Sequence, residues 1–230
     1  MPMRVHAALA MISVLGAATM LRPADLHALS TAQQELAAAR SLRPSLDRGA
    51  ELYLTCAACH GEDGGGTADG QVPRIAGQHA SVLQKQLVDF RHDRRWDVRM
   101  EHFADRHHLS DAQAIADVSA YISRLGAGRR GGTGDEAHLP YGAQGYAQLC
   151  ASCHGAAAEG SGERGIPRLA GQHYEYLRRQ IYDAADGRRP NFSTAHIRLL
   201  AHLDHEQIAA IADYLSRLPG AAGGSPASRQ

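Results

Sequence analysis

Apolar side chains recur at helical spacing in matched segments along the chain. Val82, Leu83, Leu87 and Phe90 line one face of a helix predicted from about His79 to Arg91, and its counterpart is predicted from about His173 to Ala185. Ile115, Val118, Ile122 and Leu125 form a second stripe, and Ile208, Ile211, Leu215 and Leu218 a third. The helices bearing these stripes are expected to open at the related capping patterns Ser110-x-x-Gln113 and Asp204-x-x-Gln207. Two more helices are expected, from about Asp47 and from about Tyr141.

These elements belong to a duplicated unit. An offset of 94 carries Cys56, Cys59 and His60 onto Cys150, Cys153 and His154. It also carries the block from Pro73 to His79 onto the block from Pro167 to His173, Gln86 onto Gln180 and Leu109 onto Leu203. The offset is read as slipping by one only inside the last helix, where Tyr121 meets Tyr214. A fixed internal period marks repeated structural units, and here each unit is long enough to be a domain.

The expected organisation is a signal segment over 1–28, a polar lead-in over 29–46, domain 1 over 47–126, a Gly-rich linker over 127–140, domain 2 over 141–218 and a disordered tail over 219–230. Arg4, the apolar run Ala7 to Leu15 and the small residues Gly16, Ala17 and Ala18 make an export leader. The stretch from Val5 to Leu21 is slightly short for the ~20 residues of a spanning helix. Membrane association is therefore expected only if the leader is retained. Lys plus Arg and Asp plus Glu number 24 each, a balance that gives no basic surface for nucleic acid. Aromatic content is only 5%, so a domain of about 80 residues needs something besides side chains to complete its core.

The chemistry lies in two pentapeptides, Cys56-Ala57-Ala58-Cys59-His60 and Cys150-Ala151-Ser152-Cys153-His154, which use every Cys in the chain. Cys-x-x-Cys-His is the pattern of covalent c-type haem attachment: two thiols add to the haem vinyl groups and the His becomes a proximal iron ligand. The competing readings are a zinc site, a dithiol redox pair or disulfides. Zinc pairs do not each demand a following His, the dithiol motif needs a βαβ context, and a bridge across two residues is strained. Two haem c groups are the expected cofactors, and export suits them because haem is attached outside the bacterial cytoplasm.

With the haem motifs, Gly61 and Gly155 directly after them, the repeated Pro-Arg-x-Ala-Gly-Gln-His block and the Leu-x-x-Gln helices, the chain resembles the dihaem c-four-type family of class I cytochromes c over roughly residues 47 to 218. The resemblance implies an all-α fold of two tandem cytochrome c domains, each a three-to-four-helix fold around one haem. It further implies a periplasmic address, electron transfer with redox protein partners, and two haem edges close together across the domain interface.

One departure from the family concerns the distal iron ligand. The resemblance implies a Met seven residues before the Leu that opens the last helix, and those positions hold His102 and His196. Met occurs only at 1, 3, 11, 20 and 100, so domain 2 has none. For haem 2 the candidates are His196, His202 or a vacant position. For haem 1 they are Met100 and His102, with a slight preference for His102. Plain surface His residues are the alternative for both His102 and His196.

Arg74 and Arg168 are candidates for hydrogen bonding to haem propionates, since a guanidinium matches a carboxylate fork; solvated loop residues are the alternative. Gly77 and Gly171 suit a tight turn or close approach. Gln78, His79, Gln172 and His173 read as helix-start and packing residues, and Trp96, Tyr121 and Tyr214 as packing residues. The favoured function is a periplasmic electron carrier and not an enzyme. The competing function is a peroxidase-like or thiosulfate-oxidising haem enzyme, or an electron-transfer subunit of one, with haem 2 unusually ligated. A gas sensor would need an output domain, and none is evident.

Overall fold

The computed structural model describes residues 30–126 and 131–221. The expected leader (1–28), linker residues 127–130 and tail residues 222–230 lie outside the described residues. Among the described residues the secondary structure is helical: α1 (Thr31–Ser41), α2 (Leu46–His60), α3 (Ala80–Arg91), α4 (Val98–Phe103), α5 (Ala112–Arg124), α6 (Leu139–Leu149), α7 (Ala151–His154), α8 (Tyr174–Ala185), α9 (Thr194–Ala201) and α10 (His205–Arg217). A single antiparallel bridge joins Ser161 and Ile166.

Each domain is organised by the crossing of its first and last long helices, α2 on α5 and α6 on α10. The crossing points are Gly49 and Gly142. A Cβ at Gly49 would lie 2.3 Å from the Asp117 carbonyl oxygen, and one at Gly142 would lie 2.0 Å from that of Ala210. Only a residue without a side chain allows backbones to approach so closely. Tyr53 and Tyr121 pack one turn along, with ring centroids 5.4 Å apart, and Tyr146 and Tyr214 repeat the pair at 5.7 Å. Around these crossings the apolar stripes close two cores. One holds Leu83, Val88, Ile115, Val118 and Ile122, and the other Leu177, Ile211 and Leu215.

These equivalences correct the repeat. Gly49 and Gly142, like Tyr53 and Tyr146, are 93 apart, so the offset already differs before the first Cys. The extra residue is absorbed at Cys150, where the helix that runs unbroken through Cys56 in domain 1 splits into α6 and α7. The second slip precedes the last helix. Asp111, not Ser110, caps α5, accepting from the Ala114 amide at 2.8 Å, while the Gln113 side chain turns to Asp117 and the Arg43 carbonyl. Asp204 and Gln207 do form the reciprocal capping box on α10.

Three further features were not anticipated. The lead-in is helical over α1, which buries Ala32, Ala39 and Glu35 against α3 and α5. The short helices α4 and α9 stand before the last helix of each domain, capped by Asp97 and Ser193. The second half of the Gly-rich linker is bound, not solvated. The Gly132 amide donates to the Ala68 carbonyl, and the Gly134 and Glu136 amides donate to the Asp213 carboxylate. Backbone groups that find partners compensate the entropy lost in ordering glycines.

Candidate haem sites and the seam between them

The last turn of each Cys-containing helix delivers a buried imidazole. His60 and His154 are 6% and 8% exposed. Each directs Nδ1 at a Pro carbonyl, Pro73 and Pro167 respectively, at 3.0 Å. A carbonyl only accepts, so Nδ1 carries the proton and Nε2 keeps its lone pair for a metal. Burial lowers both imidazole pKa values, favouring the neutral form that ligates. None of the four Cys is paired in a disulfide. Burial pushes the Cys56 and Cys150 thiols up to about 11. Two thiols and an imidazole within one and a half helical turns are a donor set that fits covalent haem.

The residues near the proximal His differ between the two domains. In domain 2, α9 brings His196 over His154 with ring centroids 6.1 Å apart and planes at 44°. That is the span of two metal–imidazole bonds of about 2 Å each plus two half-rings. His196 is half-buried, and its pKa is lowered by burial, then by His154 and Arg189. His202 is the exposed C-cap of α9.

In domain 1 the structure does not bring the equivalent His102 to His60. The His102 side chain is 62% exposed, and its ring stacks edge-on against Phe103 and His108. Asp105 lies beside it, with Oδ2 3.9 Å from Nδ1. Residues two apart on a helix do not share a face, so an outward His102 leaves half-buried Met100 on the inner side of α4. Arg99 and Asp97, at the start of the same helix, act electrostatically on His60. The slight preference for His102 is thus opposed by its placement. The two domains differ beside this position, with Leu199 in domain 2 where domain 1 has Asp105.

Arg91 ties this segment down: its guanidinium donates to the carbonyls of Ala104, Asp105 and Leu109 and to the Glu35 carboxylate. Two tyrosines outside the expected site also support it. The Tyr53 and Tyr146 hydroxyls donate at 2.6 Å to the carbonyls of Gly61 and Gly155, holding the residue after each proximal His.

The repeated Pro-Arg-x-Ala-Gly-Gln-His blocks meet at the seam between the domains. The Gln172 amide accepts from the Arg74 backbone N–H and donates to the Arg74 carbonyl, at 3.0 and 2.8 Å. Gln78 treats Arg168 identically, at 2.9 Å for both bonds. Beside them His79 donates to the Glu159 carbonyl and His173 to that of Gly65. Gly77 and Gly171 turn the chain into this contact at φ +68° and +69°, a region that favours glycine. Arg74 is buried, and Arg168 is half-buried with Nε on the Gly77 carbonyl. Read from sequence, the Gln and His residues were helix-start residues. The signal that could have revealed them was their strict repetition on a turn with no core to fill.

The comparisons agree with this architecture. A family model described as Cytochrome c matches residues 46–126 and 140–219. Cytochrome c4 of Pseudomonas aeruginosa (strain PAO1) is 33% identical over 180 residues, covering 71% of this chain and 83% of the relative. A thiosulfate dehydrogenase electron acceptor of Stutzerimonas stutzeri is 33% identical over 177 residues, covering 72% and 79%. Among solved structures, reduced recombinant cytochrome c4 from Pseudomonas stutzeri superposes with a TM-score of 0.66 at 28% identity, covering 77% of this chain and all of that one.

Fold and site together define a tandem two-domain c-type cytochrome. The chain belongs to the cytochrome c family and is similar to the dihaem cytochromes c4; it is an electron carrier with two covalent haem c groups, and it acts with redox partners.

Proposed function

We propose that Cys56, Cys59 and His60 hold haem 1 with Met100 as distal ligand, and that Cys150, Cys153 and His154 hold haem 2 with His196 as distal ligand. Each haem supplies one-electron chemistry at its iron. The protein orients each proximal His through a Pro carbonyl, places a second ligand above it and clasps the two domains. Arg74 and Arg168, both at the seam, would pair with haem propionates through their guanidinium groups.

The observation that carries this reading is the pairing of His154 with His196, which has no counterpart at His60 among the described residues. A thioether ligand raises a haem potential relative to a more strongly donating ligand. Haem 1 is then the higher-potential centre and haem 2 the lower, so electrons run from domain 2 to domain 1. With His196 above His154, haem 2 has no open position for a substrate, which favours a carrier over an enzyme.

The export pattern of the leader and the needs of haem attachment support a periplasmic location. No helix among the described residues is long and apolar enough to cross a membrane. A dehydrogenase that oxidises a small reduced sulfur compound is a fitting donor, given the thiosulfate dehydrogenase electron acceptor among the relatives.

The test is the far-red absorption of sulfur-ligated ferric haem, combined with a redox titration. The expected result is one such band, two resolved potentials and no carbon monoxide binding by the reduced protein. The band should vanish in Met100→Ala and persist in His102→Asn. Absence of the band from the wild-type protein would overturn the assignment at haem 1, and carbon monoxide binding at haem 2 would overturn that at His196.

A further inference from the structure

We propose that His102, Asp105 and His108 form a surface site for a divalent transition-metal ion of the zinc or copper type, separate from both haems. The proposal rests on the reading of Met100 as the haem 1 ligand, which leaves His102 available.

Among the described residues, these three are the group of His, Cys and acidic side chains whose ligand atoms converge, all lying within 4.8 Å of one another. The Asp105 carboxylate sits between the two imidazoles: Oδ1 is 3.0 Å from His108 Nδ1, and Oδ2 is 3.9 Å from His102 Nδ1. Two imidazole nitrogens and one carboxylate oxygen suit zinc, copper or nickel more than calcium or magnesium. Tetrahedral bonds of about 2.0–2.1 Å put ligand atoms about 3.3 Å apart. The required closure is small, and the most exposed member, His102, can make it by side-chain rotation.

The segment is held in position for such a site. Asp105 Oδ1 accepts the backbone amides of His107 and His108, fixing the turn that separates the two imidazoles. Arg91 fixes the same turn from beneath through the carbonyls of Ala104, Asp105 and Leu109. Solvent exposure of His102 leaves a side from which an ion can enter and water can complete its shell. Domain 2 supplies an internal contrast: His196 and His202 stand at the equivalent positions, but Leu199 replaces the carboxylate and His196 faces His154.

The test is calorimetric titration of Zn2+ into the full haem-loaded chain at neutral pH, for the wild type, Asp105→Asn, His108→Asn and the control His202→Asn. Asn at 105 can still accept both backbone amides, so this variant removes the charge and keeps the turn. The expected result is one zinc equivalent in the wild type and in His202→Asn, weakened about tenfold or more in the other two variants, with the far-red band unchanged on loading. Equal zinc binding in Asp105→Asn and His108→Asn would overturn the proposal, as would no binding by the wild type. The variant His102→Asn separates the two readings. If it alters the haem spectrum, His102 is an iron ligand and both readings fail. If the spectrum is unchanged and the wild type binds no zinc, the metal site alone fails.

Discussion

Gln172 reads the backbone of Arg74 as a neighbouring β-strand would, accepting from its N–H and donating to its carbonyl, and Gln78 repeats this on Arg168 with the domains exchanged. The glutamines thus act as a reciprocal clasp across a local two-fold relationship. A net contribution of about 1 kcal/mol per hydrogen bond gives each Gln roughly 2 kcal/mol of domain coupling. In the double variant Gln78→Ala, Gln172→Ala the two domains are expected to melt separately, and the wild type is expected to melt in one transition. Calorimetry checks this. Two transitions already present in the wild type would show that the clasp does not couple the domains.

Much of the fold was legible because its signals are local. The stripes of α3, α5 and α10 and the capping box at Asp204 are set by residues three or four apart. What escaped depends on partners distant in sequence. Helix α1 has a weak apolar face of alanines and buries a carboxylate, so its packing depends on Arg91, over fifty residues away. The haem motifs were legible as short patterns. The placement of the His102 ring was not, because spacing does not show that Asp105, Phe103 and His108 hold it on the outer face.

Glu35 gives that remote anchor a pH dependence. Burial raises its pKa, but the His92 hydrogen bond and the Arg91 and Arg106 charges outweigh it, leaving the carboxyl below its ordinary value of 4.5. A depressed carboxylate contributes stability above its unfolded pKa and loses it as pH falls through the folded value. Helix α1 is therefore expected to hold at neutral pH and to release on acidification through the lowered Glu35 pKa, below the ordinary carboxylate range. Hydrogen exchange along residues 31–41 measures this. Glu35→Gln should cost about 3 kcal/mol, the lower end for breaking a buried pair, because Arg91 keeps its carbonyl partners. The acid sensitivity of α1 should disappear with it; retained sensitivity would assign the effect to another group.

The helix crossings are sensitive to a single methyl group. Ala at Gly49 would press its Cβ into the Asp117 carbonyl and the Tyr121 side chain, and Ala at Gly142 would press into the Ala210 carbonyl. Both carbonyls belong to the backbone, which does not rotate aside. Each variant is expected to lose about 3 kcal/mol, the upper end for overpacking, and to load less haem into the altered domain alone. Denaturant unfolding and the haem-to-protein ratio check this, and unaltered stability in both variants would refute the crossing geometry.

The proposed ligand difference between the domains predicts a directional response to His196→Met. In domain 2 His196 stands over His154 from α9, and a Met there extends from the same half-buried position. Exchanging an imidazole for a thioether weakens donation to the oxidised iron and so favours reduction. The lower potential is expected to rise by on the order of 0.1 V, a modest part of the ~0.8 V over which axial ligands act, while the upper potential stays in place. A second far-red band should appear. His196→Ala, which removes the ligand, should instead give high-spin ferric haem and carbon monoxide binding on reduction. If both variants leave the lower potential unchanged, His196 does not ligate haem 2, and the proposed flow of electrons from domain 2 to domain 1 loses its basis.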